Sequence, residues 1–268
     1  MRSTRLEPLV RGAWAMARIG AAATLSARAV LLGRAIFYLL VMVILGMFWN
    51  AVAAEHAADV LRLPPGLVLY VGITECITLS VPAIHLRLED DIRSGAIEAY
   101  LLRPMPYLLG QISETIGGMA VRLSVLGLGG VVALLAFGLS PPPAGAWPLL
   151  VVLVLLGGTV QVMLIAVAGL STFWVRRSLA AYLIMQKLIF LLGGLFAPVT
   201  LYPWWLARIA ALSPYGASLY WPAAIVLDHD AATVATAFTA VLAWIAILAL
   251  LCGAIWHAGM RRLLTRGI

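Results

Sequence analysis

The chain has 268 residues, 63% of them hydrophobic and 11% charged. A soluble domain carries roughly 25% charged residues, so this composition excludes a soluble globular protein and defines an integral membrane protein. The net charge of +7 does not call for nucleic acid: Lys187 is the only lysine, and the arginines gather at the ends of apolar runs, as they do on the cytoplasmic flanks of membrane spans.

Residues 1–34 are studded with Arg2, Arg5, Arg11, Arg18, Arg28 and Arg34, interleaved with Leu9, Trp14, Met16, Ile19, Leu25 and Val30. This pattern predicts an amphipathic helix lying at the inner membrane surface. A cleaved leader ending near Ala51-Val52-Ala53 fits less well, because the basic region is too long and the apolar run that follows is long enough to span.

The first predicted span is 35–54, about the 20 residues a bilayer core requires. A short polar loop with Glu55, His56, Asp59 and Arg62 ends at Pro64-Pro65. The second span is 66–84. Residues 85–104 then form the most densely charged block of the chain, with Arg87, Glu89, Asp90, Asp91, Arg93, Glu98 and Arg103. Such an island between two membrane-length runs sits in water or against a protein partner. The third apolar stretch, 107–139, exceeds one perpendicular crossing and tilts or starts at the interface. The fourth span is 147–175, followed by Arg176-Arg177, and the fifth is 180–197.

Residues 198–230 are apolar but broken by Pro203, Pro214 and Pro222, and carry Tyr202, Trp204, Trp205, Tyr215, Tyr220 and Trp221. Aromatics of this kind favour the membrane boundary, so short helices dipping into the outer leaflet are expected. The sixth span is 231–258, closed by Arg261, Arg262 and Arg266. With both termini cytoplasmic, fourteen of the eighteen basic residues lie inside and only Arg62 and Arg208 outside. That bias orients the chain.

The chemistry is sparse. The only lysine is preceded by glutamine, so no phosphate-binding loop is present. His56, His85, His229 and His257 are far apart, and no metal cluster follows from their spacing. Cys76 and Cys252 lie inside apolar runs and read as small buried hydrophobes. Ser124 and Ser171 read as residues bonding their own backbone. Polar residues within spans are costly and invite a functional reading: Glu75 in the second, Glu114 and Arg122 in the third, Gln161 in the fourth. Lys187 lies near enough to the inner boundary to snorkel. Glu75, Glu114 and Arg122 are the candidates for a translocation path. The pairs Gly117-Gly118, Gly129-Gly130, Gly157-Gly158 and Gly193-Gly194 permit close helix packing.

If the island is helical, Leu88, Ile92, Ala96 and Ala99 share one face. Glu89 and Arg93 then form a favourable i, i+4 pair. Glu89, Asp90 and Asp91 suit the first turns, Gly95 weakens the middle and Pro104 stops the helix. A solvated connecting loop is the equal alternative on these grounds.

The run Ile92-Arg93-Ser94-Gly95-Ala96-Ile97-Glu98-Ala99-Tyr100-Leu101-Leu102-Arg103-Pro104 resembles the segment after the second span in permease subunits of bacterial type-2 ABC transporters. A second stretch is similar to the outward hairpin of that family: Phe196-Ala197-Pro198, Tyr202-Pro203-Trp204-Trp205, Leu212-Ser213-Pro214-Tyr215 and Pro222-Ala223. The resemblance covers nearly the whole chain. It implies a single permease domain over 1–268: an all-α integral membrane protein with six transmembrane helices, an N-terminal amphipathic interface helix (1–34), a cytoplasmic coupling helix (85–104) and an outward-facing re-entrant hairpin (198–230). It further implies an exporter permease of the bacterial inner membrane, paired with an identical or related permease. Separate ATPase subunits would dock at Glu89, Asp90, Asp91, Arg93, Gly95 and Glu98. No cofactor would bind this chain, ATP and magnesium being held by the ATPase. Trp204, Trp205, Pro214 and Tyr215 would belong to the outward hairpin that gates or lines the exit. The competing reading is a stand-alone proton-coupled carrier using Glu75 or Glu114. It predicts an internal repeat with matching broken helices, and none is evident.

Overall fold

The computed structural model describes residues 3–55, 66–101, 105–136, 142, 145–195, 197–228 and 230–266. Outside them lie the 56–65 loop, the Leu102-Arg103-Pro104 end of the island, the 137–139 end of the third predicted span, Phe196 and His229. Among the described residues all regular structure is helical. Among them five stretches are long and apolar enough to cross a membrane: Arg28–Trp49, Leu67–Arg93, Tyr107–Ala136, Ala146–Phe173 and Ala231–Thr265.

Helix α1 (Ser3–Ser26) runs almost unbroken into α2 (Arg28–Glu55). The Ala27 and Leu31 amides keep their helical bonds to Ala23 and Ala27, at 3.3 and 3.1 Å. Residues 27–32 are good helix formers, so Arg28 and Arg34, expected in the surface segment, belong instead to the start of the first long helix. Trp14, Ile19 and Leu25 of α1 are exposed, as membrane anchors must be. The opposite flank rests lengthwise on the first half of α6 (Tyr107–Ala136). Glycines make that seam: a Cβ on Gly20 would meet the Glu114 carbonyl, and one on Gly117 would meet the Ala17 carbonyl.

Helix α3 (Leu67–Ser80) is shorter than its predicted span. Residues 81–83, with Pro82, interrupt it before α4 (Ile84–Arg93). The charged island is therefore two short helices, α4 and α5 (Ile97–Leu101). They are separated at Gly95, whose φ of 74° is left-handed backbone that glycine adopts without a Cβ penalty. Leu88 and Ile92 are buried as the periodicity implied. The break hands the next buried position to Ile97.

Helix α7 (Ala146–Leu170), extended by a 3-10 turn to Phe173, is the central post. It touches α3, α4, α6 and α8 (Leu179–Leu192) on its flanks. The fifth predicted span is α8, and it ends early. Fourteen residues reach about 21 Å, short of the ~30 Å hydrocarbon core. Gly193-Gly194 turns the chain there. Tyr70 donates to the Gly194 carbonyl at 3.0 Å and Thr74 to the Leu195 carbonyl at 3.2 Å. The turn is thereby stapled to α3.

Beyond it come a 3-10 turn (Val199–Leu201), α9 (Trp204–Leu212), α10 (Pro214–Ser218) and α11 (Tyr220–Ala224). Helices α10 and α11 press into α7, and α11 also meets α3. Gly157 makes room, since a Cβ there would lie 2.6 Å from the Ser218 carbonyl oxygen. Broken backbone at membrane depth needs this protein cover. The chain ends in α12 (Ala231–Arg266), whose 36 residues extend about 54 Å.

Candidate functional site

The charged side chains of the island divide between two surfaces. Glu89 points inward and is 8% exposed. Its Oε2 accepts from the Ser178 amide at 2.8 Å and from the Ser178 hydroxyl at 2.7 Å. Its Oε1 faces Arg93 Nη1 at 3.4 Å. Asp91 is half-buried, accepting from the Tyr107 hydroxyl and from Gln111 Nε2. Of the three adjacent carboxylates expected to face a partner, Asp90 alone is exposed. Glu89 and Asp91 tie α4 to the start of α8 and to α6, and Asp90 remains outward. Asp90, Arg93 and Glu98 are exposed, as are Ala83, Leu86 and Arg87. On α4 these positions recur at helical spacing and form one outer stripe.

The inner face of α4 is fixed by packing. His85, 3% exposed, stacks on Tyr182 of α8 with ring centroids 3.8 Å apart. Leu88 and the His85 backbone close over Gly169 of α7. Arg87 reaches Glu114 of α6 in an ion pair. Nearby, Tyr107 stacks on Trp256 at 5.1 Å and Phe173 meets the same indole edge-on at 5.7 Å. The α4 platform thus rests on α6, α7, α8 and, through the aromatics, α12. Sequence reading missed Ser178, Tyr182 and Tyr107. Ser178 lies 89 positions from Glu89, and no local pattern marks a residue that serves only as a distant hydrogen-bond donor.

The three intramembrane candidates do not form one cluster. Glu114 belongs to the platform through Arg87. Glu75 is half-buried on α3. Arg122 is half-buried on α6 beside Arg34, and its Nη1 has no hydrogen-bond partner among the described residues. Arg34 itself donates to the Leu79 carbonyl at 2.7 Å, where α3 ends. No hydrogen bond or ion pair joins any two of Glu75, Glu114 and Arg122 among the described residues.

In the hairpin, Trp204 is 80% and Trp205 52% exposed. Pro214 opens α10 behind Ser213, whose hydroxyl accepts from the Gly216 amide at 3.1 Å. Tyr215 turns inward, its hydroxyl 3.3 Å from Met185 Sδ of α8. Trp221 Nε1 donates to the Ala211 carbonyl at 2.8 Å, and Trp244 Nε1 of α12 donates to the Leu212 carbonyl at 3.1 Å. Proline-broken segments are therefore held by side-chain donors where helical bonds are missing.

These features define a multi-pass helical membrane protein with a charged, well-supported platform at one end and a buried helical wedge between α8 and α12. The family described as "ABC-2 family transporter protein" matches residues 66–267. The chain belongs to that family: it is a permease subunit of a type-2 ABC transporter, the membrane component that works with ABC ATPase subunits and is not itself the ATPase. No curated protein and no solved structure matches it in the same comparisons.

Proposed function

We propose that this permease belongs to an ATP-driven exporter of the bacterial inner membrane, and that the ATPase seats on the outer stripe of α4 and α5. The observation that carries the reading is the division of the island. Asp90, Arg93 and Glu98 are exposed to a partner, while Glu89, Asp91 and His85 lock α4 to α6 and α8. A docking helix must both present charge and transmit force, and this one is built for both. The arginine distribution supports placing the platform and both termini in the cytoplasm. ATP and magnesium would then be held by the partner chain.

Two apolar faces support pairing with a second permease, identical or related. Helix α2 exposes Ile36, Leu40, Val43 and Met47, and α8 exposes Leu183, Ile184, Phe190 and Leu191. Helix α8, its glycine turn and the hairpin together would complete a sixth crossing. The exit would lie beside Trp204, Trp205, Pro214 and Tyr215.

Charge reversal on the stripe (Asp90→Arg with Glu98→Arg) is expected to reduce co-purification of the ATPase by at least about tenfold, since opposed like charges at an interface are repulsive. The melting temperature of the permease should stay unchanged, because both positions are exposed. Undiminished recovery of the ATPase would move the docking surface elsewhere. Glu75→Gln separates this reading from a proton-coupled carrier. ATP-dependent export is expected to fall less than about threefold, as Glu75 has no ion pair among the described residues. Complete loss of transport would favour the carrier.

A further inference from the structure

A cavity of about 460 Å³ lies between α2, α3, α6 and α7. Its walls are Met42, Ile73, Leu123, Leu134, Leu150 and Val154, together with glycines and other apolar residues. Two of the few polar groups in the wall are already engaged. Tyr38 donates to the Gly72 carbonyl at 3.0 Å, and Ser124 donates to the Ala120 carbonyl at 2.9 Å. Among the described residues no charged side chain lines the cavity. A space with almost wholly apolar walls lacks the two to four polar partners a retained water needs, and an engineered apolar cavity of only ~150 Å³ already takes benzene. The volume falls within the ~300–1,000 Å³ of ordinary ligand pockets.

Shape and position narrow the occupant. The lining runs along α6 from Ala120 to Leu134, about 21 Å of helix. The space is thus elongated along the bundle. Three of its lining residues, Ser124, Leu128 and Val151, are exposed, Leu128 by 69%. They are flanked by exposed Val132 and Leu135 of α6 and Val152 of α7. The mouth therefore opens sideways onto an apolar flank of two membrane-length helices, where lipid tails are the solvent.

Gly127 adds an independent sign. It lines the cavity, and a Cβ placed on it would meet nothing within 4 Å. A mid-helix glycine weakens its helix, and here it permits no close backbone approach. What its lack of a side chain preserves is the space itself.

We propose that this cavity holds one acyl chain of a bilayer phospholipid, entering between α6 and α7 past Leu128 and Val151. The chain fills the bundle where α6 and α7 leave a gap, and it is resident rather than in transit. This assignment rests on the membrane fold and not on the docking surface or the direction of transport.

The test is photolabelling of the full chain in phosphatidylcholine vesicles that contain a phospholipid with a diazirine at the end of one acyl chain, irradiated without ATPase or ATP. Adducts are mapped by mass spectrometry. They are expected on Leu123 and Leu150, which are 7% and 5% exposed and face the cavity, as well as on lipid-facing Leu250. Gly127→Leu fills the space, and Leu128→Trp blocks the mouth from a position already in lipid. Each should cut labelling of Leu123 and Leu150 at least tenfold and leave Leu250 unchanged. Leu128→Trp keeps the test intact if Gly127→Leu does not assemble. Adducts confined to residues such as Leu250 overturn the proposal. So do adducts at Leu123 and Leu150 that survive both substitutions, or that form only with the ATPase and ATP present, which would mark a transported tail.

Discussion

Glu89→Ala is expected to destabilise the solubilised permease by about 3 kcal/mol and to abolish coupled export. The substitution deprives the Ser178 amide and hydroxyl of their shared acceptor. Two donors are then left in a site where Ser178 is fully buried. An unsatisfied buried donor costs about 1–3 kcal/mol, and bonds to a charged group lie at the upper end of the scale. Ser178→Ala removes one donor and keeps the amide, so a smaller loss is expected. The two changes should be non-additive in a double-mutant cycle by at least about 1 kcal/mol, as contacting residues are. The measurement is thermal unfolding in detergent, read with export in vesicles. Unchanged melting of Glu89→Ala would remove the Ser178 latch from the account. The behaviour differs from that of the outer stripe, where docking is lost and stability is kept.

Gly117→Leu should prevent α1 from packing on α6. The new side chain meets the Ala17 backbone, which cannot rotate away as a side-chain terminus could. Overpacking costs about 1–3 kcal/mol where neighbours can yield and more where they cannot, so the yield of monodisperse protein is expected to fall at least tenfold. Gly20→Leu, which meets the Glu114 carbonyl, should behave alike. Gly253→Ala is the control: nothing lies within 4 Å of its Cβ, and the yield should not fall. Fluorescence-detected size exclusion reads all three. Equal yields from Gly117→Leu and Gly253→Ala would show that α1 does not rest on α6 in the membrane.

Much of this was legible beforehand because hydrophobic length and arginine placement are local signals. The long helices and the island all stand near their expected positions, and Leu88 and Ile92 are buried as their spacing implied. What was missed depends on tertiary partners. Glu89 follows Leu88 by one position, about 100° around the helix, which puts it on the margin of the buried face. Whether a carboxylate there turns out or in depends on a donor across the gap, and Ser178 supplies it. The α1–α6 seam was hidden for a related reason. Glycine is common in membrane helices, so Gly20 and Gly117 stand out only once the opposing backbones are known. The early end of α8 follows from Gly194 together with Tyr70 and Thr74, two residues of another helix.

Helix α12 carries a consequence of its own. It has no proline from Ala231 to Arg266, so the usual cause of a sharp kink is absent. Midway along it Trp244 is bonded to the carbonyl that closes α9, and about 18 Å further on Trp256 is clamped between Tyr107 and Phe173. Such a rod behaves as a lever arm: rocking of the platform is delivered to the wedge as a sideways swing, without any chain of side-chain rearrangements between them. The two ends of the molecule are then geared together by stiffness alone.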